Sequence, residues 1–411
     1  MTLGAAISCL FPLAMALRES DRSTPIEKGD SYRGEQKPMS KILVTGGAGF
    51  IGSHLVDALV LRGHDVRVLD ALVPQVHGPT STWPAWVPSE VDKRHGDVTE
   101  ISIWAEVLEG IDVVYHLAAE VGVGQSMYEI TRYMNANTMG TANLLQFLAR
   151  GNHNVRKLIV ASSMSIYGEG AYETRDCEIV YPQLRSAAQL TEGEWEMLDP
   201  DRSEHLSPTP TNEDKPLFPT SIYAISKRDQ EEMSLAIGRA YKIPTVALRF
   251  FNVYGPRQAL SNPYTGVAAI FSSRLLNGRP PLIFEDGRQS RDFVHVSDIV
   301  QALLLAMERD EANYEAINVG TGRPTTILQV AEELIHELGV DLRPQVTAQF
   351  REGDIRHCYA DIGKAERLLG YRPRVRFEDG IRELVHWVRG QCAEDRVEGA
   401  TAELKERGLT R

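Results

Sequence analysis

Lys41-Ile-Leu-Val-Thr-Gly-Gly-Ala-Gly-Phe-Ile-Gly-Ser-His54 is the stretch that decides the fold of this chain. Its apolar start, Ile42 to Val44, predicts a buried parallel strand. From Phe50 to Leu61 the apolar residues recur at helical spacing, which predicts a helix. Between the two lies a glycine-rich turn that contains Gly46, Gly47, Gly49 and Gly52. Strand, glycine turn and helix in this order form the dinucleotide-binding fingerprint.

Glycine is needed in this turn for three physical reasons. One glycine lets the chain turn sharply, one lets the backbone approach a pyrophosphate with no Cβ in the way, and one lets the helix pack closely on the strand. The helix N-terminus then offers free N–H groups and a positive dipole end to the phosphates. We therefore expect the cofactor to lie along Gly46, Gly49, Phe50, Ile51 and Gly52.

A second predicted strand, Val66-Arg-Val-Leu-Asp70, ends in an acid. Asp70 follows the glycine turn by about twenty residues, the spacing at which a carboxylate accepts hydrogen bonds from the adenosine ribose hydroxyls. A turn or cap residue would be the ordinary interpretation of Asp70 alone, but the glycine turn favours the ribose contact. Ala71-Leu72 follows without an Arg or Lys to meet a 2′-phosphate, so NAD is favoured over NADP.

Length and composition indicate an ordinary globular protein. The 411 residues can bury a large core and form two domains. The net charge of −12 argues against nucleic acid or an anionic membrane surface as a partner. The cysteines are too scattered for a zinc motif or a disulfide framework, which fits a reducing cytoplasm. They are Cys9, Cys177, Cys358 and Cys392.

Residues 1–39 are expected to be a disordered N-terminal extension. Leu3 to Leu17 is apolar and imitates a secretion signal, but no Lys or Arg precedes it and Pro12 interrupts it. Residues 18–40 are polar, which is typical of disorder. No membrane-spanning helix is predicted further along the chain.

Strand and helix signals alternate beyond the fingerprint. Val113 to Leu117 and Leu158 to Ala161 are predicted strands, and Thr141 to Ala149 is a predicted helix. Such alternation predicts an α/β fold, a doubly wound parallel Rossmann sheet with helices on both faces. Ligands of such sheets bind at the carboxyl ends of the strands.

These signals divide the chain into a Rossmann domain and a smaller one. Residues 40–252 are the expected NAD-binding domain, and residues 253–390 mainly form a mixed α/β substrate-binding domain, with 290–322 partly returning to the sheet. Residues 169–220, rich in proline and charge, are expected to be an inserted loop or lid. Residues 391–411 are expected to be a polar, frayed tail.

Tyr223-Ala-Ile-Ser-Lys227 places a Tyr and a Lys one helical turn apart on one face. A phenol with a pKa near 10 is a poor base at neutral pH. A neighbouring ammonium and a positive nicotinamide ring both favour the phenolate, so Tyr223 could take a proton from a substrate hydroxyl while hydride leaves the same carbon. Ser163, at the end of an earlier strand, would hold that oxygen, and Lys227 would also hold the nicotinamide ribose. A surface Lys and a half-buried Tyr are the alternative interpretation.

Further motifs extend the pattern along the chain. They are Thr45-Gly-Gly-Ala-Gly-Phe-Ile-Gly52, Gly96-Asp-Val98, His116-Leu-Ala-Ala119, Asn137-Thr-Met-Gly-Thr141, Ser162-Ser-Met-Ser-Ile-Tyr-Gly168, Tyr223-Ala-Ile-Ser-Lys227, Arg249-Phe-Phe-Asn-Val-Tyr-Gly-Pro256, Arg291-Asp-Phe-Val-His-Val296 and Gly353-Asp354. Over about residues 40 to 390 the chain thus resembles extended short-chain dehydrogenases/reductases of the nucleotide-sugar epimerase and dehydratase group.

The resemblance implies roles at matching positions. For the cofactor, Asp97 and Val98 would border the adenine, Leu117, Ala118 and Ala119 would line the dinucleotide, and Asn137 and Phe251 would lie near the nicotinamide half. The substrate residues implied are Ser126, Ser163, Asn252, Val267, Arg291, Arg351 and Asp354. Asn252 and the two arginines would bind the nucleotide diphosphate, because a guanidinium fork suits phosphate oxygens. The family commonly dimerises through helices that include the one bearing Tyr223, so a homodimer is expected.

Two positions bear on the reaction. The 4,6-dehydratases of this group carry an Asp-Glu pair after the catalytic Ser or Thr, whereas Met164 and Ser165 stand here, which disfavours dehydration. UDP-galactose 4-epimerases typically carry a lysine where Val121 stands, which argues against UDP-glucose. Residues 120–129, 162–170 and 261–271 resemble dTDP-L-rhamnose 4-epimerases. Of the paired-cysteine motif found in related insertions only Cys177 remains, so no metal is expected.

The leading hypothesis is therefore an NAD-dependent nucleotide-sugar 4-epimerase that works through a transient 4-keto sugar and converts dTDP-L-rhamnose to dTDP-6-deoxy-L-talose. A UDP-glucose or other UDP-sugar 4-epimerase and a nucleotide-sugar reductase are alternatives within the family. A dinucleotide-sensing relative with a dead site is the non-enzymatic alternative, and intact Ser163, Tyr223 and Lys227 argue against it.

Overall fold

The computed structural model describes residues 39–79 and 81–410. Of the expected N-terminal extension, residues 1–38 lie outside the described residues. The strands of the described part are β1 Lys41–Thr45, β2 Asp65–Asp70, β3 Asp92–His95, β4 Val113–His116, β5 Lys157–Ser163, β6 Ala171–Glu173, β7 Ile179–Val180, β8 Ser207–Thr209, β9 Thr245–Phe250, β10 Asn252–Tyr254, β11 Leu282–Ile283, β12 Ser290–His295, β13 Ala316–Val319, β14 Pro324–Thr326, β15 Gln345–Val346 and β16 His357–Cys358.

Helices alternate with these strands through most of the chain. They are α1 Phe50–Leu61, α2 Pro74–His77, α3 Ile103–Val107, α4 Val123–Ser126, α5 Ile130–Tyr133, α6 Gly140–Ala149, α7 Ala187–Thr191, α8 Ile222–Tyr241, α9 Val267–Leu276, α10 Val296–Glu308, α11 Ile327–Leu338, α12 Gly363–Leu369, α13 Phe377–Val388 and α14 Val397–Glu406. Among the described residues, none of these helices combines the length and apolar character that a membrane crossing needs.

The main sheet has seven parallel strands in the order β13-β9-β5-β4-β1-β2-β3. This is the doubly wound α/β sheet that the sequence predicted. Side chains alternate across the sheet, so Ile42 and Val44 pack into one core and Leu43 packs into the core on the other face. The strand order reverses direction at β1 and β4, and the crevice at such a reversal is where ligands of these sheets bind.

A second core lies in the C-terminal part of the chain. It is formed by α9, α11 and α13 around Phe271, Leu334 and Leu384. The nearby mixed sheet joins β10, β12, β14 and β16. Strand β13, at Ala316–Val319, returns to the main sheet and pairs with β9. This interleaving places segments of the C-terminal part beside the carboxyl ends of the main-sheet strands.

The expected inserted loop or lid at residues 169–220 contains secondary structure of its own. It contains α7 and an antiparallel three-stranded sheet in the order β7-β6-β8. Backbone hydrogen bonds from Gly170 to His357 and from Thr211 to Tyr359 fix it to the segment around β16. The strands have only two or three residues each, which is too short for a periodic apolar signal to show in the sequence.

The expectation of a frayed tail at residues 391–411 does not hold for the part of this segment that forms a helix. Residues Val397–Glu406 form α14, in which Ala400 and Leu404 are buried. Thr410 is buried as well and forms an isolated bridge with Arg351. The apolar residues of this helix are few and stand among many charges, which is why composition alone predicted a solvated tail.

Candidate active site

One cavity of about 660 Å³ follows the carboxyl ends of the main-sheet strands. It extends from the glycine turn after β1, past Ser163 and Tyr223, to the segment around Arg291 and Arg351. A cavity of this size is in the range that holds a cofactor and a small substrate. The residues that the sequence assigned to cofactor and substrate are therefore brought together, with two exceptions described below.

The glycine turn has the shape that a pyrophosphate requires. Gly46 adopts φ +69°, and a Cβ placed there would lie 2.9 Å from the backbone nitrogen of Ala118. A Cβ on Gly52 would collide with the carbonyl oxygen of Gly46, so α1 can approach the turn only without a side chain there. Gly46, Gly49, Phe50, Ile51 and Gly52 all line the cavity at the N-terminus of α1. The residues present thus fit a dinucleotide.

Asp70 ends β2 at the edge of the same cavity. Its carboxylate accepts hydrogen bonds from the backbone N–H of Ala48 and of Leu72, each at 2.9 Å. These bonds hold the carboxylate beside the glycine turn, where a ribose would lie. Nε2 of His77, which also lines this wall, lies 3.5 Å from the carboxylate.

Most of the remaining predicted cofactor residues form the cavity wall. They are Asp97, Val98, Leu117, Ala118, Ala119 and Phe251. Asp97 caps the turn that follows it by accepting from the Thr99 N–H at 2.8 Å. Because Leu117 to Ala119 directly follow β4, the wall is an extension of the sheet edge.

Asn137 and Ser126 are the two exceptions, because neither lines the cavity. Asn137 is fully buried in a π-helical turn between α5 and α6. Its side chain accepts from the N–H of Glu120 at 2.8 Å and donates to the hydroxyl of Ser226 at 2.9 Å, so it ties the cavity loop to α8. Ser126 is buried too, and its hydroxyl donates to the carbonyl of Val123.

Ser163 and Tyr223 meet in the middle of the cavity. Ser163 is the last residue of β5, and its hydroxyl accepts hydrogen bonds from the backbone N–H and the hydroxyl of Ser165, at 3.2 and 2.9 Å. Its own proton is therefore free for another acceptor. Tyr223 is placed by Ser221, which caps α8 by accepting from the N–H of Ala224 at 3.1 Å. Burial raises the pKa of Tyr223, and the hydrogen bond from Ser163 opposes that rise.

Lys227 follows one turn later and is 4% exposed. Burial lowers the pKa of its ammonium to about 7, although Glu231 opposes the shift. The lowering of the Tyr223 pKa that Lys227 and a nicotinamide ring would cause together stays a prediction.

The two positions after Ser163 contain no acid. Met164 and Ser165 both line the cavity, and Ser165 is engaged with Ser163. Val121 lines the cavity as well and is 51% exposed. The wall around Ser163 and Tyr223 therefore holds a proton acceptor and hydrogen-bond donors, without a carboxylate at residues 164 or 165.

The far end of the cavity carries the predicted substrate residues Asn252, Val267, Arg291, Arg351 and Asp354. The Arg291 guanidinium donates to the carbonyls of Ser290, Ile355 and Arg356 at 2.7–2.9 Å, which fixes it rigidly.

Arg351 is the more adaptable of the two arginines. It donates to Asp354 at 2.9 Å and lies over the ring of Phe284. Its side chain is 42% exposed, so it can turn towards an anion in the cavity. Burial acts to raise the pKa of Asp354, but Arg351 and Arg291 outweigh it and hold that pKa below its ordinary value.

Sequence reasoning missed two glutamines on this wall. Gln258 and Gln289 are 5% and 7% exposed and line the cavity. The side-chain oxygen of each is buried without a hydrogen-bond partner, as is that of Asn252. Three unpaired acceptors on one wall fit a ligand that carries hydroxyl or N–H donors. Gln289 could have been found from its place two residues before Arg291, whereas an isolated loop glutamine such as Gln258 gives no sequence signal.

Comparison with known proteins agrees with this site. Residues 42–195 match the model of the NAD dependent epimerase/dehydratase family, and residues 205–384 match the model described as GDP-mannose 4,6 dehydratase. A dTDP-L-rhamnose 4-epimerase of Burkholderia thailandensis is 35% identical over 85% of this chain and 94% of its own length.

Two solved structures are similar across the same part of the chain. UDP-glucose 4-epimerase of Thermotoga maritima with UDP-glucose is 32% identical, with a TM-score of 0.68 over 85% of this chain and 98% of that one. UDP-glucuronic acid 4-epimerase of Bacillus cereus with UDP-glucuronic acid and NAD is 28% identical, with a TM-score of 0.69 over 85% and 99%.

Fold and site together define a Rossmann-type enzyme that uses NAD. The chain belongs to the NAD-dependent nucleotide-sugar epimerase/dehydratase family of the extended short-chain dehydrogenases/reductases. Its cofactor is NAD, and the glycine turn and Asp70 are the residues that would hold the pyrophosphate and the adenosine ribose.

Proposed function

We propose that the protein is a nucleotide-sugar 4-epimerase and that it interconverts dTDP-L-rhamnose and dTDP-6-deoxy-L-talose. The observation that carries the proposal is the Ser163–Tyr223 pair at the centre of the cavity, followed by Met164 and Ser165 in place of acids. Epimerisation at C4 needs one group to move the O4 proton and one to hold that oxygen. Dehydration would need further acid–base groups at the neighbouring sugar carbons.

Tyr223 takes the proton from the C4 hydroxyl and later returns it. Ser163, which hydrogen-bonds Tyr223 in the structure, would donate its proton to the same sugar oxygen, because Ser165 already occupies its acceptor capacity. The chemistry that NAD would supply here is the uptake and return of hydride at C4, and the positive charge of its ring would favour the Tyr223 phenolate. Between the two transfers the 4-keto sugar turns in the cavity, so that the hydrogen returns to its other face.

Arg291 and Arg351 bind the diphosphate in this account. Arg291 is already fixed by three backbone carbonyls, so it presents a positive charge that loses little freedom on binding. Arg351 exchanges its contact with Asp354 for a phosphate oxygen. These two cations supply the local attraction that an anionic substrate needs against a net charge of −12.

The choice of a 6-deoxy sugar is supported by apolar side chains on the cavity wall. Met164, Val121 and Val267 all line the cavity, and a methyl group needs no hydrogen-bond partner from them. The relative from Burkholderia thailandensis supports the same choice. A UDP-sugar 4-epimerase is the second candidate, because similar structures hold UDP-glucose and UDP-glucuronic acid.

Proton NMR of dTDP-L-rhamnose incubated with the purified protein and no added cofactor tests the proposal. New anomeric and C4 proton signals that grow to a fixed ratio would support both the substrate and the retention of NAD. Conversion of UDP-glucose alone, in a parallel tube, would keep the mechanism and overturn the substrate. If neither sugar changes even when NAD is added, the proposed epimerase activity is wrong.

A further inference from the structure

The C-terminal segment comprises residues 391–410, and its first residues are held in place beside the cavity. Asp395 is buried and forms ion pairs with Arg274 and Arg279, at 3.4 and 3.2 Å. The backbone N–H of Glu394 donates to the hydroxyl of Ser261 at 3.0 Å. These contacts hold the start of the segment against the end of α9, so α14 begins from a fixed position.

Helix α14 is anchored by hydrogen bonds to two tyrosines, Tyr128 and Tyr264. Glu403 accepts hydrogen bonds from the hydroxyls of Tyr128 and Tyr264, at 3.0 and 3.2 Å. The guanidinium of Arg407 lies 4.3 Å from the centre of the Tyr128 ring. Leu404 is buried, and its methyl carbons lie 3.5 Å from the position that a Cβ on Gly124 would occupy.

The last residues of the C-terminal segment are anchored to Glu352 and to Arg351, which is predicted to bind the diphosphate. The N–H of Glu352 donates to the carbonyl of Leu409 at 3.1 Å, and Thr410 forms an antiparallel bridge with Arg351. The segment therefore connects α4, which contains Gly124, with Arg351. Both of these line the cavity, so the segment extends along its substrate end.

The side of the segment that lines the cavity is apolar. Val397, Ala400, Leu404 and Leu409 contribute to the wall, and Thr401 is the polar exception. Charged side chains of α14 such as Lys405 are exposed to solvent instead. In the neighbouring helix α4, Val123 also lines the cavity and is 45% exposed. Such an uncovered apolar surface gains free energy when an apolar part of a ligand covers it.

We propose that the C-terminal segment is part of the substrate-binding site and that the Leu404 side of α14 packs against a methyl group of the bound nucleotide sugar. The inference rests on the proposed function. Two methyl groups have this chemistry, namely the C6 methyl of a 6-deoxy sugar and the methyl of thymine. A hydroxyl placed against Leu404 would lose its water without gaining a hydrogen-bond partner from that side chain.

Isothermal titration calorimetry of the NAD-loaded full-length protein tests the wall without depending on turnover. The variant is Leu404→Ala, and Lys405→Ala on the exposed side of the same helix is the matched control. We expect Leu404→Ala to weaken the binding of dTDP-L-rhamnose roughly tenfold, as loss of a fitted apolar contact does. The control should bind like the wild type.

Further ligands distinguish the two methyl groups. If the wall covers the sugar methyl, Leu404→Ala weakens dTDP-L-rhamnose but leaves dTDP-L-mannose, which has a hydroxyl at C6, and free dTDP unchanged. If it covers the thymine methyl, the variant weakens dTDP itself and leaves UDP unchanged. Equal affinities of variant and wild type for all of these ligands would overturn the proposal.

A second variant tests the same wall in case Leu404→Ala disturbs the fold. Thr401→Leu adds bulk to the same wall without removing a buried contact, and we expect it to weaken dTDP-L-rhamnose binding by obstruction while NAD content and the melting temperature stay unchanged. Unchanged affinity in this variant would contradict the assignment.

If the wild type binds UDP-glucose and not dTDP-L-rhamnose, the proposed substrate and the methyl contact both fail. A weaker affinity of Leu404→Ala for UDP-glucose would still support the wall, and an unchanged one would overturn it.

Discussion

Lys227 donates a hydrogen bond from Nζ to Oε1 of Gln230, at 2.8 Å, within α8. Gln230 is fully buried and donates in turn to the hydroxyl of Thr141 at 2.8 Å. The same hydroxyl lies 3.0 Å from Nε2 of His116, whose Nδ1 lies 2.9 Å from the hydroxyl of Thr45. A buried chain of hydrogen bonds thus links Lys227 to the strand that precedes the glycine turn.

Replacing Gln230 tests whether this chain orients the lysine. Gln230→Leu keeps the volume but removes the acceptor for Lys227, and we expect kcat to fall roughly tenfold to a hundredfold, as small misplacements of catalytic groups do. Because Gln230 does not line the cavity, KM for the sugar nucleotide should stay within about twofold. Steady-state kinetics measure both constants. Arg228→Leu, on the exposed side of the same helix, is the control, and an unchanged kcat in Gln230→Leu would contradict the role.

The lowered pKa of Lys227 predicts how stability depends on pH. Its pKa is about 7 in the folded protein and about 10.4 in an unfolded chain. Between these values the unfolded chain binds more protons, so the contribution of this group to the free energy of unfolding rises with pH. Lys227→Met should therefore be more stable than the wild type below pH 7, by roughly 3 to 5 kcal/mol, and the gap should close towards about pH 10.4.

Urea unfolding of both proteins at several pH values, with matched NAD content, measures this gap. A difference in the free energy of unfolding that is the same at pH 6 and pH 10 would show that Lys227 is not held in the shifted state. Other titrating groups are common to both proteins, so their contributions cancel in the comparison.

Glu285 is predicted to secure the insertion to the rest of the protein. It accepts from both terminal nitrogens of Arg185, each at 2.9 Å, and from Arg356 at 3.0 Å. Both arginine side chains are almost fully buried. Glu285→Gln should lower the free energy of unfolding by about 3 to 5 kcal/mol, because it leaves buried guanidinium charge uncompensated.

The matched control for Glu285→Gln is Glu232→Gln. Glu232 pairs with Arg228 at 2.8 Å on the exposed surface of α8. Loss of such a surface pair changes stability by only about 0.3 to 0.5 kcal/mol. Equal destabilisation of the two variants in chemical denaturation would refute a special role for the buried pair.

Tyr223→Phe removes the phenol oxygen and keeps the ring. We expect epimerisation to slow by about 10² to 10⁴, the contribution typical of one general base, while co-purifying NAD stays at the wild-type level. Tyr241→Phe, on the exposed end of the same helix, should be fully active. Rates by NMR and cofactor content by absorbance give the two readouts, and an active Tyr223→Phe would remove Tyr223 from the mechanism.

Strong local signals explain why so much of the sheet was predictable. The apolar run Ile42–Val44 and the helical spacing of apolar residues after it are clear local patterns. Helix α8 was predicted from the residue spacing around Tyr223. By contrast, α14 was missed because only a few of its residues, such as Leu404, face the protein. The insertion at residues 169–220 was predicted, but its short strands were not, because they depend on tertiary contacts such as that of Arg185 with Glu285.

The site shows the same division. Residues in motifs with fixed spacing, such as Asp70 and Ser163, lie where the sequence placed them. Asn137 belongs to a motif as well, but its side chain points into the protein, because the π-helical turn directs it towards Ser226. Which way a motif residue faces depends on local helix geometry, and sequence spacing does not reveal it.

Epimerisation in D₂O, followed by mass spectrometry and NMR of the product, tests most directly whether the hydrogen at C4 leaves and returns within the enzyme. The NAD-loaded protein is given the unlabelled nucleotide sugar that it converts. The account predicts product epimer with no deuterium on any sugar carbon, because Tyr223 exchanges only the hydroxyl proton. Deuterium at C4, or at a neighbouring carbon, would contradict it by showing that the sugar is inverted by proton exchange with water.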